Sequence, residues 1–262
     1  MSTLKNIVKM IPGMKSLYYL ICSVLAYIFY SGDTYTCLIC DRSFRKLIDL
    51  KATQVIYSPY TNLTGKRENA MCPNCRSLER LRLVYLYLIQ HTNMFTTKNK
   101  ILHFAPERSL VNICKKSPNI EYYSADIKKG CAMYAVDIMN ICFGNEEFDY
   151  VVLNHVLEHV SDDIKALTEV LRILKPGGKA IITVPISPTN KSTLEQPTVS
   201  DDERLTLYGQ HDHVRLYGMD FPERMQEAGF KVDTFIAGTN VPLTLVEQYA
   251  LLIGETVYIG EK

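Results

Sequence analysis

Phe148–Val160 reads FDYVVLNHVLEHV, and Leu171–Pro185 reads LRILKPGGKAIITVP. Each holds an apolar run of strand length, Phe148–Leu153 in the first and Ala180–Val184 in the second. Between those runs, Ser161–Leu174 spaces its apolar residues as a helix does. Ser161 followed by Asp162 and Asp163 is a good helix start: short polar side chains cap the first turn, and acids suit its free N–H groups. Lys175-Pro176-Gly177-Gly178 supplies the stop.

The alternation extends in both directions. Ile101–Phe104, Ile120–Ser124, Lys231–Ile236 and Thr256–Ile259 read as further strands. Glu107–Lys116, Met219–Ala228 and Leu243–Leu252 read as helices. Short apolar strands separated by amphipathic helices predict a Rossmann-like α/β domain over residues 100–262, with a doubly wound, mostly parallel sheet. Residues 186–218, rich in Pro, Ser, Thr, Asp and His, form a long insertion after the Ala180–Val184 strand. Long loops at that edge of an open sheet usually cover the ligand.

Residues 33–99 have a different character. Cys37-Leu-Ile-Cys40 and Cys72-Pro-Asn-Cys75 are two C-x-x-C hooks, each of which can aim two thiolates at one ion. Together they predict a small zinc-ribbon-like subdomain in which Cys37, Cys40, Cys72 and Cys75 hold a structural zinc. Gln54-Val55-Ile56-Tyr57 is strand-like, and Ser77 is expected to cap the following helix, SLERLRLVYLYLIQ. The other four cysteines lie scattered among apolar residues, and reduced thiols of both kinds point to the cytoplasm.

Residues 1–32 form an apolar segment broken at Pro12-Gly13, with Lys5, Lys9 and Lys15 ahead of the uncharged run Leu17–Tyr30. That run is shorter than the roughly 18–20 residues a bilayer span needs. Two readings stay open: a helix packed on the catalytic domain, or an interfacial helix giving peripheral membrane contact. The net charge of +1 hides an asymmetry. Residues 1–100 carry 14 Lys and Arg against 5 Asp and Glu, and the remainder carries 15 against 23. A basic front half suits an anionic partner or is a solvated face. Oligomeric state has no signal in the sequence.

The Phe148–Val160 and Leu171–Pro185 stretches together resemble class I S-adenosylmethionine-dependent methyltransferases. The resemblance covers residues 100–262 and implies binding of S-adenosylmethionine. It assigns His103, Ala105 and Glu107 (in ILHFAPERS) to the turn after the first strand, where His103 replaces the family's acid, and Ala105, Glu107 and Ser109 its glycines. Glu107 is then expected to face the cofactor's ammonium group in place of the missing acid. Asp126 is implied to bind the ribose hydroxyls, Ile127 to pack on adenine, Asp137 to accept from the adenine amino group, and Asn154 to face the cofactor or acceptor.

A hydroxyl acceptor needs a base, and His155 or His213 is the expected one, with Arg215 available to pair an anionic group on the acceptor. His155, Glu158, His159 and one of His211 or His213 could instead hold a divalent metal that polarises the acceptor. The expected acceptor is a small molecule, a sugar or a lipid-linked glycan, methylated on oxygen. Ribosomal or transfer RNA gripped by the knuckle is the alternative, and a non-catalytic S-adenosylmethionine-binding module a third.

Overall fold

A computed structural model describes residues 24, 28–51, 66–196 and 198–262. Most of the Leu17–Tyr30 run and all of Gln54–Tyr57 lie outside the described residues. Among the described residues, no helix is long and apolar enough to cross a membrane.

The N-terminal part is built from two hairpins. Strands β1 (Ser31–Cys37) and β2 (Arg42–Phe44) pair antiparallel, as do β3 (Ile48–Lys51) and β4 (Lys66–Met71). Helix α1 (Glu79–His91) follows. Leu78, not Ser77, occupies its N-cap position, without a side-chain bond. Ser77 is drawn instead to the cysteines, its hydroxyl 3.3 Å from the Cys37 sulfur and 3.2 Å from that of Cys75.

From Asn99 the chain alternates strand and helix. In order come β5 (Asn99–Phe104), α2 (Arg108–Lys116), β6 (Ile120–Asp126), β7 (Tyr134–Ala135), β8 (Phe148–Asn154), α3 (Asp163–Ile173) and β9 (Leu174–Thr183). The 186–218 insertion contributes β10 (Leu194–Glu195), α4 (Asp201–Tyr208) and β11 (Arg215–Leu216). Last come α5 (Phe221–Glu227), β12 (Lys231–Ile236), α6 (Leu243–Gln248) and β13 (Thr256–Glu261). The central sheet has the order β12-β13-β9-β8-β5-β6-β7. Its pairs are parallel except those that β13 makes with β12 and β9. This is the Rossmann-like, doubly wound fold the alternation predicts.

Period-two alternation splits the sheet residues between two cores. Ile101, Val152, Ile181 and Val257 join Leu81, Leu88, Leu110 and the knuckle's Cys37, Phe44 and Leu47. Leu102, Val151, Leu153 and Ile182 face the other way, onto Leu167, Val170, Phe221 and Met225.

The start signal of α3 falls one residue from where the sequence suggests, and its stop signal holds. Asp162, not Ser161, caps α3, its carboxylate accepting from the Lys165 amide at 2.9 Å. α3 ends at Ile173, just ahead of Lys175–Gly178, and that stretch lies inside β9. While β8 advances from Phe148 to Tyr150, β9 advances from Leu174 to Lys179, so the extra residues bulge out. Gly177 takes φ +74°, and a Cβ on Gly178 would sit 2.8 Å from the Lys175 carbonyl and 3.1 Å from that of Phe148.

Candidate functional site

In an open α/β sheet, ligands collect where neighbouring strands send their chains to opposite sides. Here that place lies between β5 and β8, beyond their C-terminal ends, since β6 flanks β5 on one side and β8 on the other. Both strand ends turn sharply. Ala105 has φ +45° and His155 φ +52°, a region L-residues enter at a cost of about 1–2 kcal/mol. Alanine thus takes the left-handed turn for which the resemblance calls for glycine.

A chain of polar contacts ties these ends together. The Thr183 hydroxyl, at the end of β9, donates to Asn154 Oδ1 at 3.2 Å, and Asn154 Nδ2 donates to Glu107 at 2.6 Å. The other Glu107 oxygen lies 3.6 Å from the Arg80 guanidinium. Sequence reading found Glu107 and Asn154 but missed Thr183 and Arg80, which carry no local signal: one is a strand terminus, the other one of three charges at the start of α1.

The remaining cofactor candidates fall on the same edge, with one exception. Asp126 is half-buried and accepts from the Lys128 amide at 2.8 Å. Asp137, also half-buried, accepts from Met139 at 2.9 Å, and Ile127 is exposed. His103 is the exception. It is fully enclosed, its Nδ1 3.2 Å from the Tyr122 hydroxyl, and burial lowers its pKa to about 3.

Beside this edge, His155 lines a cavity of about 430 Å³. Ile186, Met219 and Ile253 give it apolar wall, and Arg67 and Glu255 give it charge. Burial raises the Glu255 carboxyl above the ordinary range. Behind His155, a 3₁₀ turn (Leu157–His159) carries Glu158, fully buried and 3.2 Å from His155 Nδ1. Burial alone would raise the Glu158 carboxyl, but His155, aided by His159, pulls it below its ordinary value.

The insertion folds over this turn. Val214 donates its amide to the Glu158 carbonyl at 2.9 Å, and the His159 and His213 rings meet edge to face at 4.7 Å. His213 is buried, which lowers its pKa. His211 is exposed and bonds the Asp201 carbonyl. Arg215 does not await an acceptor anion. It is enclosed, and it donates to the Leu157, Val160 and Ser161 carbonyls and to Glu195 at 2.6 Å. The Arg224 guanidinium and Arg215 hold Asp163 below its ordinary pKa despite burial, which fastens the insertion to α3.

The four knuckle cysteines converge, their sulfurs all within 4.8 Å of one another. The Cys37–Cys75 and Cys40–Cys72 separations are 3.6 and 3.8 Å. At a Zn–S distance of about 2.3 Å, the edge of a sulfur tetrahedron is about 3.8 Å. Those two separations match that edge, so the donor set suits a tetrahedral zinc.

Residues 101–182 match a protein family described as methyltransferase domain. Demethylmenaquinone methyltransferase of Staphylococcus carnosus is 42% identical over 53 residues, which are 20% of this chain and 22% of that protein. The enzyme of the same name from Thermobifida fusca is 32% identical over 68 residues, 24% of this chain and 29% of that one. The chain thus spans about a quarter of the length of these relatives. Among solved structures, the 1,6-didemethyltoxoflavin N1-methyltransferase of Burkholderia thailandensis covers 70% of this chain and 78% of its own, at 15% identity and TM-score 0.48. An S-adenosylmethionine-dependent methyltransferase of Archaeoglobus fulgidus covers 70% and 94%, at 16% identity and TM-score 0.47. The chain carries a methyltransferase domain, and its fold rests on its own strand order.

Proposed function

We propose that this chain transfers a methyl group from S-adenosylmethionine to a hydroxyl of a small molecule, sugar or glycolipid. The observation that supports the reading is the Glu107–Asn154 contact at the β5–β8 switch, with Asp126 and Asp137 following the neighbouring β6 and β7, inside a segment matched to methyltransferase domains. Their donor set suits the cofactor. A carboxylate at Asp126 can accept from two ribose hydroxyls, Asp137 can accept from the adenine amino group, and Glu107 can face an ammonium group. Exposed Ile127 offers an apolar surface to adenine.

When bound, S-adenosylmethionine supplies a methyl already activated for displacement, so the protein's task is to align the acceptor and exclude water. His155 lines the cavity and is the better-situated base, because His213 is enclosed and its Nδ1 is engaged by the Tyr208 carbonyl at 3.1 Å. As the acceptor oxygen takes the methyl, its proton passes to His155. Cys37, Cys40, Cys72 and Cys75 would hold zinc with four protein ligands, leaving no open position, so that ion stabilises the fold and takes no part in the transfer.

A second reading has one feature in its favour. A groove of about 950 Å³ between the knuckle and α2 is lined by Arg42, Arg76 and Lys116, which suits an RNA backbone. The test is transfer of tritiated methyl into cell-extract fractions. Label in the small-molecule or glycolipid pool supports the proposal. Label in RNA, with binding that falls steeply in salt, overturns the acceptor. Titration calorimetry checks the cofactor edge: Asp126→Ala should weaken S-adenosylmethionine binding by about 10–100-fold, and unchanged affinity would count against it.

A further inference from the structure

Glu158 is 0% exposed, and neither of its carboxylate oxygens has a hydrogen-bond partner. A buried carboxylate left in that state demands a cation. His155 Nδ1 approaches Oε1 to 3.2 Å, an ion pair only when that ring is protonated, and no hydrogen bond satisfies either oxygen. Two further ligand-type side chains converge on the same point. Glu158, His159 and His213 each offer one ligand atom, and the three atoms lie within 4.8 Å of one another.

The two rings are prepared in the same way. His159 Nδ1 faces the Asp212 carbonyl at 3.1 Å, and His213 Nδ1 faces that of Tyr208 at 3.1 Å. A carbonyl can only accept, so each Nδ1 carries a proton, and in the neutral ring Nε2 keeps its lone pair for an ion. Metal-bound histidines are almost always arranged like this, the second nitrogen donating to an oxygen that fixes tautomer and ring angle. His213 Nε2 is buried and has no partner, although its residue is only 2% exposed. His159 is 35% exposed, which gives an ion a way in.

We infer that Glu158, His159 and His213 form a binding site for a divalent transition metal, separate from the four-cysteine set. Two imidazoles and one carboxylate suit zinc, manganese, iron or cobalt better than the all-oxygen preference of magnesium or calcium. Three protein ligands leave coordination positions open, as in sites that bind a substrate oxygen. The insertion supplies the third ligand, so the ion would also pin that cover to the 3₁₀ turn. Of the two histidines the sequence offers from the insertion, His213 belongs to the cluster and His211 does not. Service of the ion to an acceptor hydroxyl rests on the methyl-transfer reading; the site itself does not.

The test counts metal in the full-length protein. Wild type, Glu158→Gln and His159→Ala are dialysed against zinc, freed of loose metal and measured by elemental analysis, with circular dichroism to confirm folding. Wild type should hold one ion more per chain than either variant, whatever the cysteines hold, and either substitution should weaken that ion's binding at least about tenfold. Titration with Co²⁺ separates the sites further, because only the cysteine set produces intense thiolate-to-metal absorption. The Glu158 site should add an ion without it, and should do so in a Cys40→Ser variant too. Equal metal content in folded wild type and both variants would overturn the site. A second ion bound by a protein that transfers no methyl would sink the methyl-transfer reading and leave the site standing.

Discussion

Single residues carry most of the departures from expectation. Ala105 stands where the family resemblance calls for glycine, and it adopts φ +45° all the same. The turn was legible as a turn, but its backbone angle was not, because a one-letter code records preference and not the outcome of packing. His103 shows the reverse. Its place in the pattern suggested a cofactor contact, yet alternation along β5 sends it into the first core with Ile101, beside Tyr122. Burial there has a measurable consequence. The unfolded chain takes up a proton at His103 near pH 6.5, and the folded chain resists until about 3. Stability therefore falls as pH drops through that window, by on the order of 3–5 kcal/mol from this residue. His103→Gln, which keeps a partner for the Tyr122 hydroxyl but does not titrate, should flatten that loss. Urea midpoints measured from pH 7 to pH 4 decide it, and parallel curves for the two proteins would refute it.

At the scale of elements, strands and helices were read well where hydrophobic period decides them. Ile101–Phe104 and Phe148–Leu153 lie inside β5 and β8, which run only one or two residues further. Cap signals fared worse, since each depends on competition for one polar group, whereas the stop at Lys175–Gly178 held. Ser77 was claimed by the sulfurs of Cys37 and Cys75, and Gly177 and Gly178 exchange backbone bonds with Lys262 within β9's pairing. The cysteine hooks were legible from spacing alone, and their sulfur separations suit one ion. If zinc binds there, Cys40→Ser should abolish its binding and lower the melting temperature by about 10 °C, equivalent to roughly 3–4 kcal/mol. Calorimetric melts with and without a chelator check this; a wild-type melt indifferent to zinc removal would exclude a structural ion.

Over the whole molecule, one buried cation links what the sequence divides. The Arg82 guanidinium, enclosed within α1, donates to the Tyr249 carbonyl at 2.8 Å, to Ala250 at 2.5 Å, to Ser77 at 3.0 Å and to Ala70 at 3.2 Å. Two of those acceptors belong to the knuckle and two follow α6. Arg82→Met keeps the volume and strips the donors, so it should cost about 3 kcal/mol or more. Urea unfolding should remain a single transition at a lower midpoint, and a midpoint within error of wild type would show that the contacts contribute little. The sequence marked residue 100 as the start of a domain because the residue pattern changes there. The core does not change there: Leu81, Leu88 and Phe44 pack in one cluster with Ile101, Val152 and Val257. A recombination or cloning junction at that point would cut through a single hydrophobic interior. Severing the knuckle from the sheet at that point should therefore leave apolar surface bare on both pieces.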